Sequence, residues 1–410
     1  MNVREQRGMV IAATTKLNRL HCDWVVPSQT GEGKSYRVNA GKQTCTCPDH
    51  KEAGFTCKHI FAVQFTIQRE LNSDGSVTET KTVTVVEKKT YSQDWAAYDK
   101  AQGREKDRVQ ELLHELVQVL EIPQHTGIGR VPHSIRDRVF AMVFKVYSTF
   151  SSRRFLSDMR EAVKRGHMTK AMPHQKITKA LRDEKLTPIL KELIALSAAP
   201  LKAVETDFAI DSSGFAACKF DRWFDEKYGK VKSKCVWVKV HLACGVKTNI
   251  VTAVRILDQN AADSPQFAPL VKETKNTFEV SEVSADKAYA SLENFEAVAN
   301  AGGTGFLAFK SNTTGSKGGL FEKMFHYFQF QKEDFMARYH KRSNVESTFS
   351  MIKRKHGDSC RSKDDVSMVN EVLCKILAHN LCVLNQEECE LGIETMFRRP
   401  ASETRLGVVA

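Results

Sequence analysis

The chain has no run of eighteen or more uncharged apolar residues, so its text predicts no membrane-spanning helix. Its first segment, MNVREQRGMVIAATTKL, is broken by charges and lacks a secretory h-region. We therefore expect a soluble cytoplasmic protein with no membrane partner. A disulfide framework is missing too. The 11 cysteines are odd in number and irregularly spaced, and three of them crowd between Cys45 and Cys57, which suits thiolate metal ligation in a reducing compartment. The other eight read as small core residues. There are no internal repeats, and 41% apolar content over 410 residues argues for one large domain with smaller modules rather than for disorder.

Acidic residues are in the minority. With 49 acids against 61 Lys and Arg, the net charge is +12, which attracts a polyanion and raises nucleic acid, or an anionic membrane surface, as a partner.

Along the chain, residues 1–71 hold short β-like runs, Trp24-Val25-Val26 and Tyr36-Arg37-Val38, before the cysteine cluster and the apolar stretch His59-Ile60-Phe61-Ala62-Val63. Residues 72–91 are polar and Thr-rich, a linker or exposed β-arm. From 92 to 203 the pattern is helical: Leu112, Leu113, Leu116, Val117 and Leu120 mark one apolar side, Ser134 can cap IRDRVFAMVFKVYSTF, a further segment closes on Gly166, and Thr187-Pro188 opens ILKELIALSAA. From 204 to 390 we expect three consecutive strands (FAIDSSGF, CVWVKVHLACGV, IVTAVRIL), a helix from near Asp263 and Ser264, the strand EVSEVSAD, a helix at 292–300, the strand GFLAFK, and a long helical stretch. That order is an α/β fold with a mixed sheet. Residues 391–410 form a C-terminal tail.

Cys45-Thr46-Cys47, nine intervening residues, then Cys57-Lys58-His59 supply four ligands, the number a tetrahedral structural Zn²⁺ uses. His50, inside the loop, is a rival ligand that fits the spacing less well. Pro48 and Gly54 help the loop fold back. The run CTCPDHKEAGFTCKH resembles the SWIM zinc-binding module, C-x-C followed by a variable loop and C-x-H. The resemblance covers about residues 35–65 and implies a small ββα domain that binds DNA or protein.

Asp211 ends the apolar run Phe208-Ala209-Ile210 and is followed by the small residues Ser212, Ser213 and Gly214; Asp286 ends the strand EVSEVSA in the same way. Such acids suit hard cations, although an Asp after a strand is also an ordinary turn former. The third acid, Glu346, lies in YHKRSNVESTFSMIKRKHG. At 100° per residue Tyr339, Arg342, Glu346 and Lys353 fall at about 0°, 300°, 340° and 320°, so one continuous helix would align all four within roughly 60°. The same text also reads as a capping box from Ser343 to Glu346.

The segments IDSSGF, SADKAY and YHKRSNVESTFSMIK resemble the three catalytic blocks of bacterial insertion-sequence DDE transposases, and Y-x2-R-x3-E-x6-K matches the Y-R-E-K signature of that group. The resemblance covers about residues 204–385. It implies a ribonuclease H-like catalytic domain in which Asp211, Asp286 and Glu346 are catalytic and hold two Mg²⁺ ions, replaceable by Mn²⁺. It implies also that Tyr339, Arg342 and Lys353 contact transposon-end DNA. Several members of the group carry a large β domain between the second and third acids; here 59 residues separate Asp286 from Glu346, which we fill with a strand and a short helix.

Arg130, Arg136, Arg138, Arg153, Arg154, Arg160, Lys164, Arg165, Lys170, Lys176 and Lys179 concentrate positive charge in the helical region. They either line one side of a DNA duplex or form ordinary solvated faces. The leading expectation is a transposase acting on transposon ends and target DNA, a homodimer in the DNA complex and associated with the nucleoid. A transposase-derived DNA binder that no longer cleaves is the alternative, and a nuclease that cuts without joining is the third reading.

Overall fold

A computed structural model describes residues 3–21, 23–29, 34–71, 94–122, 132–217, 237–257, 261–310 and 312–397. The linker or β-arm expected at 72–91, Arg130, and positions 398–410 of the expected tail lie outside them. The chain divides into two compact units, Met1–Ser92 and Gln93–Ala410.

The first unit is richer than the ββα arrangement read from its sequence. Helix α1 (Val3–Thr14) precedes an antiparallel sheet in the order β1 (Asn18–Leu20), β2 (Asp23–Pro27), β3 (Ser35–Asn39), β4 (Thr44–Cys45), followed by α2 (Pro48–Ala53) and α3 (Lys58–Leu71). Alternation in β2 buries Trp24 and Val26, which meet Val38, Ile60 and Val63 in a small core. The charges that interrupt the N-terminal segment stay off the core side of α1, where Gly8, Ile11 and Ala12 are buried. Gly8 permits close helix packing: a Cβ there would come within 2.5 Å of the Phe61 Cβ and 2.7 Å of the Lys58 carbonyl on α3.

The second unit is built on a five-stranded mixed sheet in the order β7-β6-β5-β8-β9, from β5 (Asp207–Ala216), β6 (Trp237–Gly245), β7 (Val251–Leu257), β8 (Glu282–Ala285) and β9 (Thr304–Leu307). β5 pairs antiparallel with β6 and parallel with β8, β7 pairs antiparallel with β6, and β9 parallels β8, so β6 alone runs against the other four. This is the mixed sheet of an α/β fold expected from the sequence. Its crossovers are helical, as parallel pairing requires: α9 (Ser264–Lys275) carries the chain from the β7 edge to β8, and α10 (Leu292–Asn300) joins β8 to β9.

Before the sheet come α4 (Trp95–Val117), α5 (Ile135–Tyr147), α6 (Leu156–Lys164), α7 (His174–Leu181) and α8 (Leu186–Ala198); after it come α11 (Gly319–Phe330), α12 (Lys332–Tyr339), α13 (Ser343–His356) and α14 (Asp365–Glu390). The interval between Asp286 and Glu346 thus holds α10, β9, α11 and α12, more helix than the single short one read from the sequence. Side-chain caps start several helices: Asp94 accepts from the Ala97 N–H, Ser134 from Asp137, and Asp364 from Ser367. Val109, Leu113, Phe140, Phe144 and Leu190 from the early helices share one continuous core with Phe208, Val240, Phe267 and Leu377. The helical region and the sheet are therefore one body, although the sequence reading set them apart.

α14 is apolar enough for a membrane span, but 83% of its most apolar window is buried in this core. It also carries polar groups inward. Asn380, fully buried, accepts from the Val251 N–H at 2.9 Å and donates to the Val251 carbonyl at 2.8 Å and to Ser197 Oγ at 2.9 Å, satisfying backbone on the edge strand β7. Asn380→Ala strands those groups without water, and we expect a loss of about 2 kcal/mol in chemical denaturation of the second unit. Unchanged stability would show that the edge is satisfied without this side chain.

Candidate active site and zinc centre

In the first unit β4 ends at Cys45, Cys47 stands at the N-cap of α2, and Cys57 and His59 open α3. The loop expected around Pro48 and Gly54 is the short helix α2, with Pro48 at its start and Gly54 closing it in the left-handed region at φ 68°. All four side chains are buried, and their ligand atoms lie within 4.8 Å of one another. His59 Nδ1 is 3.8 Å from both Cys45 Sγ and Cys57 Sγ. A tetrahedral zinc site has ligand-to-ligand edges of roughly 3.5 to 3.8 Å, so the donor set fits Zn²⁺. The rival His50 is engaged elsewhere, its Nδ1 2.8 Å from the Phe55 carbonyl. Hydrogen bonding within the cluster, above all from Cys45, holds the Cys57 thiol far below its ordinary range, at about 3, while bonding to Cys57 and burial push Cys45 upward. Zinc takes cysteine as the thiolate, and a cation among the four side chains would favour their ionised forms.

In the second unit the strand register brings two of the three expected acids together. The parallel ladder of β5 and β8 runs from Asp207 opposite Glu282 to Ile210 opposite Ala285, and the next residue on each strand is Asp211 and Asp286. Opposed residues of a parallel pair share a face, and neighbouring strands lie about 4.8 Å apart. β5 continues beyond this point paired with β6. Burial, reinforced by the charges of Asp286 and Glu346, holds the Asp211 carboxyl above its ordinary range, with the Ser212 N–H and Arg342 opposing.

α12 and α13 lie against that edge, but not as the single continuous helix of the angular estimate. A 3₁₀ turn, His340–Arg342, separates them. All four signature residues still reach the edge. The Tyr339 hydroxyl is 3.4 Å from Asp286 Oδ1; the Arg342 guanidinium is 3.4 Å from Asp211 Oδ2 and 2.6 Å from Glu346 Oε1; and Lys353 Nζ is 2.6 Å from Ser213 Oγ. The capping box does not form. Ser343 Oγ donates to the His340 carbonyl, and Glu346 turns to Arg342. Among the described residues the three carboxylates do not close into a cluster as tight as the Cys/His one, and Arg342 stands between two of them. A cleft of about 560 Å³ opens beside them, lined by Asp211, Ser212, Ser213, Glu346, Phe349, Ser350, Lys353, Arg354 and Asp358.

Several supports were not legible beforehand. Lys341 lies 2.7 Å from both Asp207 and Glu282, pinning the 3₁₀ turn to the start of the β5 and β8 ladder. Beyond α13, Lys375 of α14 donates to the carbonyls of Gly357 (2.9 Å) and Ser359 (2.8 Å), and Glu371 accepts from the N–H groups of Arg361 and Ser362. Asp263, expected only as a helix start, makes no side-chain cap; it sits 3.3 Å from Ser212 Oγ and 2.6 Å from Lys239 Nζ. Burial, then the charges of Asp211, Asp263 and Asp286, push the Tyr289 phenol well above its ordinary range.

The basic helical region divides in two. Arg136 donates to the Leu120 and Gln118 carbonyls, Arg138 pairs with Asp183, and Arg165 with Asp107 and Glu161, so these arginines are framework. Arg153, Arg154, Arg160, Lys164, Lys170, Lys176 and Lys179 are exposed.

Residues 202–381 match the family described as Transposase DDE domain, and residues 36–65 match the SWIM zinc finger. This chain carries a transposase DDE domain behind a SWIM zinc finger. The transposase domain spans the whole sheet together with α13 and the greater part of α14, and the zinc finger takes in all four Cys/His ligands. No curated protein matches the chain. Among solved structures, the cryo-EM structure of the piggyBac transposase synaptic complex with hairpin DNA is similar at 10% identity over 73% of this chain and 76% of that one, with a TM-score of 0.34, too slight a likeness to inform the site.

Removing zinc with a strong chelator should unfold Met1–Ser92 while the cooperative melt of Gln93–Ala410 persists, and Cys57→Ser should copy the effect. Calorimetry with metal analysis checks both, and a first unit that melts identically with and without zinc would refute a structural metal.

Proposed function

We propose that this chain is an active transposase that binds the ends of its own element, hydrolyses a phosphodiester there and joins the freed 3′-hydroxyl to target DNA. The observation that carries this reading is the register that sets Asp211 and Asp286 side by side where the parallel ladder ends, with Glu346 and Arg342 brought onto the same edge. Asp211, Asp286 and Glu346 offer hard oxygen donors suited to two Mg²⁺ ions, or Mn²⁺. Bound there, such ions would supply the charge that activates an attacking oxygen and stabilises a leaving one.

The side chains divide the remaining work by charge. Arg342 neutralises the acids at rest and, with Lys353 across the cleft, addresses phosphate oxygens of the bound strand. Tyr339 holds Asp286 by its hydroxyl and borders the same strand. Exposed Arg153 and Arg154 grip duplex backbone away from the cleft. Two ends call for two active sites, so the DNA complex is a homodimer, working on nucleoid DNA in the cytoplasm.

The test uses the full chain, Mg²⁺ and DNA carrying the terminal repeats that flank its coding region. Asp211→Asn, Asp286→Asn and Glu346→Gln should each cut cleavage by roughly a thousandfold or more while end binding survives, since several kcal/mol of charge stabilisation is withdrawn. Undiminished cleavage in Asp286→Asn or Glu346→Gln would overturn the assignment. A wild type that binds ends and never cuts them would make the chain a transposase-derived DNA binder, and cleavage without strand-transfer products would make it a nuclease. Replacing Arg153 and Arg154 together by Ala should weaken binding to all duplexes and lower the slope of log affinity against log salt by roughly 2; an unaltered slope would place the DNA elsewhere.

A further inference from the structure

Between α5 and α6 the chain makes a tight turn that leaves one aromatic ring in solvent. Thr149, just past the end of α5, lies in the left-handed region at φ 57°, with its N–H on the Val146 carbonyl at 3.2 Å. Glycine ordinarily takes that conformation at a helix end; a β-branched residue there is strained and persists only where its surroundings hold it. Here the holding groups are identifiable. The Arg361 guanidinium donates to the Thr149 carbonyl, while the Arg361 N–H is fixed on the Glu371 carboxylate at 2.9 Å. Ser148 Oγ accepts from the Phe150 N–H and Ser151 Oγ from the Arg154 N–H, each at 3.4 Å. Thus held, Phe150 is 46% exposed, whereas Phe144 and Phe155 on either side are fully buried. Arg153 and Arg154 follow, both exposed and, among the described residues, without an ion pair.

Two attachments set this turn beside the catalytic cleft. Arg361 comes three residues after Asp358, which lines the cleft and whose carbonyl accepts from the Ala216 N–H of β5 at 3.1 Å. At the end of α5 the Tyr147 ring lies 6.0 Å from Lys355 Nζ on α13, and the Tyr147 hydroxyl and Lys355 share the Glu105 carboxylate. Lys353 and Arg354, one turn or less from Lys355, line the cleft itself.

A single exposed apolar side chain is ordinary on a protein surface. This one is presented by a strained turn, followed by two uncommitted guanidinium groups and tied to a rim that carries Lys353 and Arg354. Those cations select a polyanion, but a phenyl ring gains nothing from phosphate; it gains from a nucleobase, by stacking. We infer that Phe150 is a base-contacting residue of the DNA surface, entering a base step of the end duplex just outside the cleft while Arg153 and Arg154 hold the flanking phosphates. The inference rests on the reading that the cleft receives transposon-end DNA.

The test uses the full zinc-loaded chain without Mg²⁺ and end duplexes carrying 2-aminopurine at single positions within about one helical turn of the repeat's terminus. Wild type should raise the fluorescence at one or two adjacent positions, where a base loses its stacking neighbour. Phe150→Ala should abolish that rise and weaken end binding about tenfold, with the slope of log affinity against log salt unchanged because no charge is lost, and Phe150→Tyr should keep wild-type affinity. Because the ring is exposed, Phe150→Ala should melt with wild type. An unaltered fluorescence profile and wild-type affinity in Phe150→Ala overturn the inference, as does a Phe150→Ala chain that melts well below wild type, which would make the ring part of the core. If that variant still binds and cuts ends as wild type does, the transposase reading stands without it; a wild-type chain that fails to bind end duplexes sinks both.

Discussion

Mutual repulsion among carboxylates is the constraint around which the second unit is arranged. Three acids from distant parts of the chain meet at one end of a sheet, one of them substantially buried, and in a poorly solvated site like charges resist being brought together. The fold meets this cost with rigid geometry and with cations. Backbone pairing fixes the spacing of Asp211 and Asp286 with no help from their side chains. A helix pair then delivers Arg342 between Asp211 and Glu346, and Lys341 to the acids at the opposite end of the same ladder.

Much of this was readable from residues alone, for identifiable reasons. Apolar runs that end in Asp, and a Tyr, Arg, Glu and Lys series at near-helical spacing, are local patterns whose consequence is local. The cysteine and histidine spacing is equally self-contained, and there the sequence also indicated that His50 was the poorer ligand. Where the reading fell short, the missing information was tertiary. α1 was hidden because its apolar face needs only Gly8, Ile11 and Ala12, too few to stand out among charges. The 3₁₀ turn at 340–342 carries Lys341, which pairs with Asp207 and Glu282, both far away in sequence. Asp263 looked like a helix cap because nothing local says that Ser212 and Lys239 will claim its carboxylate.

The basic residues teach the same lesson about charge. A count of arginines between 129 and 181 does not distinguish those that serve the framework from those that face solvent. Arg136 is committed to carbonyls at the end of the preceding helical segment, and Arg138 to Asp183, whereas Arg153 and Arg154 stay exposed in the turn that leads into α6. Net charge describes the long-range field felt by a polyanion; hydrogen-bond partners decide which side chains are free to touch it.

The clamp that α14 places on the segment after α13 bears on how the site can change state. With Lys375 and Glu371 holding that segment from a buried helix, and Lys341 holding the turn before α13, the main chain carrying Glu346 is tethered at both ends. Hinge motion is thereby discouraged, and what stays adjustable is torsion about side-chain bonds, of which Arg342 has several and Asp211 few. Any rearrangement of these side chains is then a matter of rotamers rather than of moving the helix that carries Glu346.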